Sequence, residues 1–258
     1  MNKNLLEVEQ NPNYDVAVES QDRKSSQRKS RIVSRFLSPA LQFWLKSQLE
    51  QIGQLKVKIE GGDRQIITGK IPQVSVVASD VIFRGLHLTE VELFATGIRI
   101  NIGQIIKGKP LQILESFPIF CQVKLLESDF NASLESPLLA KAIIQFLTPL
   151  LPQDFLQNLE KPIELYDYKA EISTGKLNLF TNVMSKIDEN NSLTLDTELK
   201  LSRSDELLLE NLNLEVSQQT NYKLSDNIKV NLGSDVELEE LTLEPGQLSC
   251  QGKLIVNP

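Results

Sequence analysis

The residues that most often carry enzyme chemistry are scarce in this chain. Its 258 residues include two cysteines, one histidine and one tryptophan. Cys121 and Cys250 stand far apart, with no CxxC and no Cys/His cluster, so the usual zinc arrangements are excluded and no cofactor is expected. Both cysteines fall in alternating segments and read as small buried hydrophobes. The sole histidine, His87, lies in the alternation Leu86-His87-Leu88; its side chain is predicted to face solvent, and no triad can be built around it. GxSxG, P-loop, GxGxxG and HExxH motifs are all missing. The acid pairs Asp167 with Glu171, and Glu239 with Glu240, have spacings found in any acidic chain, and nothing places two carboxylates across a cleft. No catalytic residue is expected.

Long apolar runs are missing too. No stretch reaches the roughly 18 apolar residues of a membrane-spanning helix. The opening MNKNLLEVEQNPNYDVAVESQD lacks the basic and apolar regions of a secretory signal. The expected location is the cytoplasm, or the cytoplasmic face of a membrane as a peripheral protein. The formal charge of −7 opposes nucleic-acid binding. That charge is uneven. Arg23, Lys24, Arg28, Lys29, Arg31 and Arg35 form a basic collar without an intervening acid, whereas acids such as Glu237, Glu239, Glu240 and Glu244 crowd the C-terminal part. A local basic cluster on an acidic chain points to an anionic partner such as a membrane surface.

What is present is alternation. In VSVVASDVIFRGLHLTEVELFATGIRINI, residues 74–102, Val74, Val76 and Ile82 share one parity, as do Ile98, Ile100 and Ile102. Period two places one row of side chains on each face of a strand. Gly85 and Gly97 mark bends. Residues 1–30 read as a disordered polar and basic tail. Ile32, Val33, Phe36, Leu37, Leu41, Trp44, Leu45, Leu49 and Ile52 then recur at helical spacing. Ser38-Pro39 predicts the helix start and Gly53 its stop. Strands follow at 55–59, 66–71, 73–83, 86–102 and 119–125, with a turn at Gly61-Gly62-Asp63. Ser128 or Asp129 would cap a short helical turn. Ser136-Pro137 opens a second one-sided helix carrying Leu138, Leu139, Ala142, Ile143, Phe146 and Leu147. From Ile163 onward, seven alternating segments are separated by turn signals.

The economical architecture is α+β: one domain, residues 31–258, in which a long curved antiparallel sheet wraps two amphipathic helices. Such a sheet must coil or close to protect its edges. The inward helix residues Leu41, Trp44, Leu45, Ile143 and Phe146 are the candidate lining of an apolar cavity. Three readings stay open: a non-catalytic binder of a phospholipid or similar long apolar ligand, a structural or protein-interaction module with a fully packed interior, and an enzyme acting on lipid or glycan.

The segments Phe83-Arg84-Gly85-Leu86, Glu127-Ser128-Asp129-Phe130-Asn131 and Ser136-Pro137, with the terminal LEELTLEPGQLSCQGKLIVNP, resemble the bacterial LmeA-like phospholipid-binding family from about Leu37 to Pro258. The resemblance implies a fold similar to the tubular lipid-binding proteins, in which a curved sheet wraps helices around a long apolar cavity. It also implies phospholipid binding without catalysis. Exported members of that family carry an N-terminal signal or anchor, where this chain has a polar tail and a basic collar.

Overall fold

The computed structural model describes residues 33–186, 191–216, 220–223 and 227–258. The tail of residues 1–30, and the collar cations Arg23, Lys24, Arg28, Lys29 and Arg31, lie outside them. In chain order the elements are α1 (Ser38–Gln48), β1 (Gln54–Glu60), α2 (Asp63–Ile67), β2 (Lys70–Phe83), β3 (Leu86–Arg99), α3 (Ile102–Ile105) and β4 (Phe117–Leu126). Three helices follow: α4 (Glu127–Leu134), α5 (Pro137–Leu147) and α6 (Gln153–Asn158). The remainder is strand: β5 (Leu165–Ser173), β6 (Lys176–Val183), β7 (Ser192–Arg203), β8 (Glu206–Val216), β9 (Thr220–Lys223), β10 (Ile228–Asn231), β11 (Val236–Glu244) and β12 (Gln247–Val256).

The α+β class holds. Among the described residues, however, the strands hydrogen-bond into two antiparallel sheets and not into the one long sheet expected. The first runs β1-β2-β3-β4-β12-β11. The second runs β10-β8-β7-β6-β5, with β9 beside β10 on the same edge of β8. The physical reason is the turn into helices after Leu126. It removes the chain from the first sheet, and only the last hairpin returns, when β12 pairs with β4. Each sheet has its own packed core. The first gathers Leu37, Leu41, Val74, Val76, Ile98 and Ile102 under α1–α3. The second gathers Leu134, Leu147, Leu179, Leu195 and Leu214 under α4–α6.

Local departures from the expected pattern have local causes. Ser38 does not cap α1, because a π-helical turn at Val33–Leu37 runs straight into it and Leu37 is already helical. The same dipeptide at Ser136-Pro137 does cap: Ser136 follows an extended backbone, and the Leu139 N–H donates to its Oγ at 3.2 Å. Helix α1 ends at Gln48, ahead of Gly53, which instead lies against Asp80. Residues 63–67 form a helix where a turn and strand were expected. Ile82 leaves the row of Val74 and Val76, since Asp80 takes a left-handed backbone (φ 53) and Val81 becomes the buried residue beyond it. Neither Ser128 nor Asp129 caps α4.

Candidate functional site

Cross-strand register in the first sheet brings together side chains far apart in sequence. Directly paired residues share a face, and one face is apolar from edge to edge. One row reads Leu55, Ala78, Val91, Val123, Cys250, Leu241. The next reads Val57, Val76, Leu93, Cys121, Gly252, Leu238, and the third Ile59, Val74, Ala95, Ile119, Leu254, Val236. Gly252 is required where it stands, because a Cβ would meet Leu238 Cα at 2.8 Å at the bulge in β11. The opposite face is mostly polar, as in the row Lys56, Val77, Glu92, Gln122, Gln251, Glu240, with Val77 and the paired Phe94 and Phe120 among its apolar members.

The apolar face is covered unevenly. The first core packs mainly on the β1, β2 and β3 side, through Phe36, Leu37, Leu41 and Trp44, and reaches β4 and β12 at Phe117, Ile119 and Val256. Among the described residues no helix makes more than a marginal backbone contact with β11 or β12. Val91, Val123, Cys250, Leu241, Leu248 and Leu238 consequently belong to neither core and stay half-buried. They form a strip along β4, β12 and β11, flanked by Val91 on β3. It is closed at the β11–β12 turn, where Leu243 is 4% exposed, and open at the other end, where Leu254 is 37% exposed. Burial, with Cys121 nearby as a second cause, pushes the Cys250 thiol up to about 11, and burial also raises Cys121. Both cysteines are free. A depression on the polar side of the same strands is lined by Glu90, Glu92, Gln122, Lys124, Glu240, Ser249 and Gln251, with Val123 and Cys250 also in its lining; its charged groups are unsuited to an acyl chain.

The five helix residues expected to line one cavity fall into different cores. Leu41, Trp44 and Leu45 join the first; Ile143 and Phe146 join the second. All but Leu41 are half-buried. Sequence reading missed the strip residues as a group. Their alternation was legible in VKLL and LSCQGKLIV, but alternation alone does not show which strand pairs with which.

The three short segments that carry the family resemblance meet where the sheets join. Arg84 (φ 53) and Gly85 (φ 76) make the β2–β3 turn, and a Cβ on Gly85 would meet that of Ser136 at 2.8 Å. Between the sheets lies α4. On one side, Glu127 and Asn131 are one helical turn apart and serve the edge of β5. The Glu127 carboxylate accepts from Ile172 N–H at 2.7 Å. The Asn131 amide accepts from Ala170 N–H at 2.7 Å and donates to the Ala170 carbonyl at 2.9 Å, as a neighbouring strand would. On the other side, Asp129 accepts from the Thr89 hydroxyl, and the Ser133 hydroxyl accepts from His87 N–H at 2.8 Å. The polar residues of α4 are therefore engaged in holding β3 to β5. The sequence's acid pairs are separated: Glu171 pairs with Lys169 at 2.8 Å, Glu239 pairs with Lys253 at 2.6 Å, and Glu240 accepts from Gln251. In the second core the Tyr168 hydroxyl is buried without a hydrogen-bond partner, and burial, then the charge of Glu135, raises its pKa. Among the described residues no group of three His, Cys, Asp or Glu side chains is placed to hold a metal ion, and no helix is long and apolar enough to cross a membrane.

A family model described as LmeA-like phospholipid-binding matches residues 29–253. Neither the curated proteins nor the solved structures yielded a match. The match covers most of the chain, and the chain belongs to the LmeA-like phospholipid-binding family. Membership suggests lipid binding.

Proposed function

We propose that the protein binds one phospholipid without catalysis, with an acyl chain lying along the β4-β12-β11 strip. The observation that supports this most directly is the apolar face that runs unbroken across six strands but is covered by helices on only one side. Leu248 to Leu254 spans about 20 Å at about 3.3 Å per residue. One leaflet of a bilayer's hydrocarbon core is about 15 Å thick, so an acyl chain of ordinary length fits. Transfer of each methylene from water contributes about 0.8 kcal/mol. Trp44, Leu45, Ile143 and Phe146, half-buried at their cores, are candidate flanking contacts, and Leu41 supports them from within. The reading takes residues 31–258 as one unit, because α4 bonds to both sheets. A non-catalytic role accords with Glu127 held by a backbone N–H and with Glu171 and Glu239 each paired to a lysine. The test is native mass spectrometry of the purified protein, followed by displacement of a fluorescent phospholipid analogue. Neither co-purified lipid nor displacement would leave a packed interaction module as the better reading.

Trp44 is the only tryptophan and sits half-buried beside the covered part of the apolar face. Its emission is expected to shift to shorter wavelength when phospholipid is added. An unchanged spectrum at saturating lipid would remove Trp44 from the flanking contacts.

The reading includes reversible docking on anionic membranes through Arg23, Lys24, Arg28, Lys29, Arg31 and Arg35. Arg35 is exposed and stacks over Phe36, 5.5 Å from its ring centre. Each such cation near an anionic surface contributes about 1 kcal/mol. Deleting residues 1–31, a cut ahead of the turn that carries buried Leu37, is expected to leave lipid capture intact. It should weaken co-sedimentation with anionic vesicles by about tenfold or more at low salt. Equal sedimentation of the two forms would reduce the collar to a solvated tail.

A further inference from the structure

At the open end of the strip, three segments remote in sequence come together. Helix α2 contacts both β2 and α3, and α3 contacts the turn at Val33–Leu37. The chain after α3 folds back against the first sheet. Leu114 N–H donates to the Arg99 carbonyl at 2.9 Å, and Ile100 bridges Ile113. Buried Asn101 pins the returning part of this loop on both sides of Leu111: its amide donates to the Pro110 carbonyl at 3.0 Å and accepts from Gln112 N–H at 2.8 Å. The loop is therefore held in shape, yet it keeps large aliphatic side chains in water. Ile67 is 57% exposed, Ile106 44% and Leu114 51%. Beside them stand the exposed cations Arg64, Lys107 and Lys109.

The charge here departs from that of the whole chain. Residues 61–70 and 103–114 contain Arg64, Lys70, Lys107 and Lys109 against the single acid Asp63, in a protein of formal charge −7. Two further acids near this end are paired: Glu60 with Lys58, and Glu115 with Arg99 at 3.5 Å. At the start of the last strand of the sheet, β11, Asp235 and Glu237 flank Val236, the partner of Leu254, and Glu239 is paired with Lys253 at 2.6 Å.

We infer that α2, α3 and the loop through Leu114 form a second, folded docking surface for an anionic phospholipid bilayer. The cations meet the headgroups, while Ile67, Ile106 and Leu114 enter the interface. Aliphatic side chains flanked by lysine and arginine suit a bilayer boundary, where one layer is charged and the next apolar. The same end carries Leu254, the most exposed residue of the strip. Docking there presents the open end of the strip to the membrane, so a lipid need cross little water between bilayer and protein. In this respect the inference rests on the lipid-binding reading. The chain enters the described structure at this same end, at Val33, which brings the basic collar's attachment point to the same surface.

The test uses the full chain and phosphatidylcholine vesicles with or without phosphatidylglycerol. A Lys107→Glu/Lys109→Glu variant is expected to sediment with the anionic vesicles more than about tenfold less at low salt, with unchanged capture of a soluble short-chain fluorescent phospholipid. Ile106→Ser/Leu114→Ser, which removes only exposed side chains, is expected to lose the binding that survives moderate salt. Sedimentation of both variants at the wild-type level would overturn the inference, as would equal wild-type binding to neutral vesicles. Wild-type protein that docks but captures no short-chain lipid would sink the lipid-binding reading and leave this surface standing.

Discussion

Leu241→Asp is expected to reduce phospholipid capture at least about a hundredfold while the protein stays folded. Leu241 lies on edge strand β11, paired with Cys250 in the first of the three apolar rows. It is half-buried and belongs to neither core, so a carboxylate there can still reach water in the lipid-free protein. With an acyl chain in place that escape closes, and the charge must be buried unpaired or neutralised, at a cost of several kcal/mol. A factor of a hundred corresponds to about 2.7 kcal/mol, well inside that range. Glu240→Ala is the matched control. Glu240 is the next residue, faces the polar side and accepts from Gln251 at 3.0 Å, and its loss is expected to leave capture unchanged. The measurement is titration with a fluorescent phospholipid analogue, with circular dichroism to verify the fold. Equal loss in both variants would point to damage to the β11–β12 hairpin; no loss in Leu241→Asp would take the ligand off the strip.

Asn131→Ala is expected to cost about 3 kcal/mol of stability. The Asn131 amide satisfies both backbone groups of Ala170, which is fully buried. Truncation leaves a donor and an acceptor unpaired at the edge of β5, each costing about 1–3 kcal/mol. For a chain of this size the melting temperature should fall by roughly 6–12 °C. Asn131→Asp keeps the acceptor for the Ala170 N–H but loses the donor to its carbonyl, so it should fall between the two. Thermal unfolding followed by circular dichroism reads both variants. A change within experimental scatter for Asn131→Ala would mean that water replaces the amide, and that α4 does not hold the sheets together through this residue.

Much of the local structure could be read from the chain by itself. Period-two alternation arises from backbone geometry within a few residues, so the strands expected at 73–83, 86–102 and 248–256 were visible without any partner, although the second ends at Arg99, ahead of α3. The same holds for Pro137 at the start of α5. Its fixed backbone angle, and the preceding serine oxygen, suit a helix N-terminus wherever the chain arrives extended. Ser38-Pro39 shows the limit of that inference: the dipeptide is identical, but the chain arrives already helical, so the serine finds no free N–H to accept from. A short helical turn was legible here as well, though with Ser128 or Asp129 as its cap, whereas the partners of Glu127 and Asn131, Ile172 and Ala170, were not, since those lie about forty residues away on another sheet.

The division of the strands between two sheets, and the strip itself, were decided by tertiary structure alone. Val123 meets Cys250 because β12 returns to β4 across more than a hundred residues. Apolar patterning requires only that such a face be hidden from water; it does not choose the strand that will lie alongside. Trp44 and Val123 are both apolar residues in amphipathic elements, and their sequences do not distinguish them. Trp44 packs into a core because α1 lies over β1. Val123 is left half-covered, and among the described residues no helix makes more than a marginal backbone contact with the neighbouring β12 or β11. Which apolar surface stays open depends on where the helices have room to pack, and that is a property of the whole assembled chain.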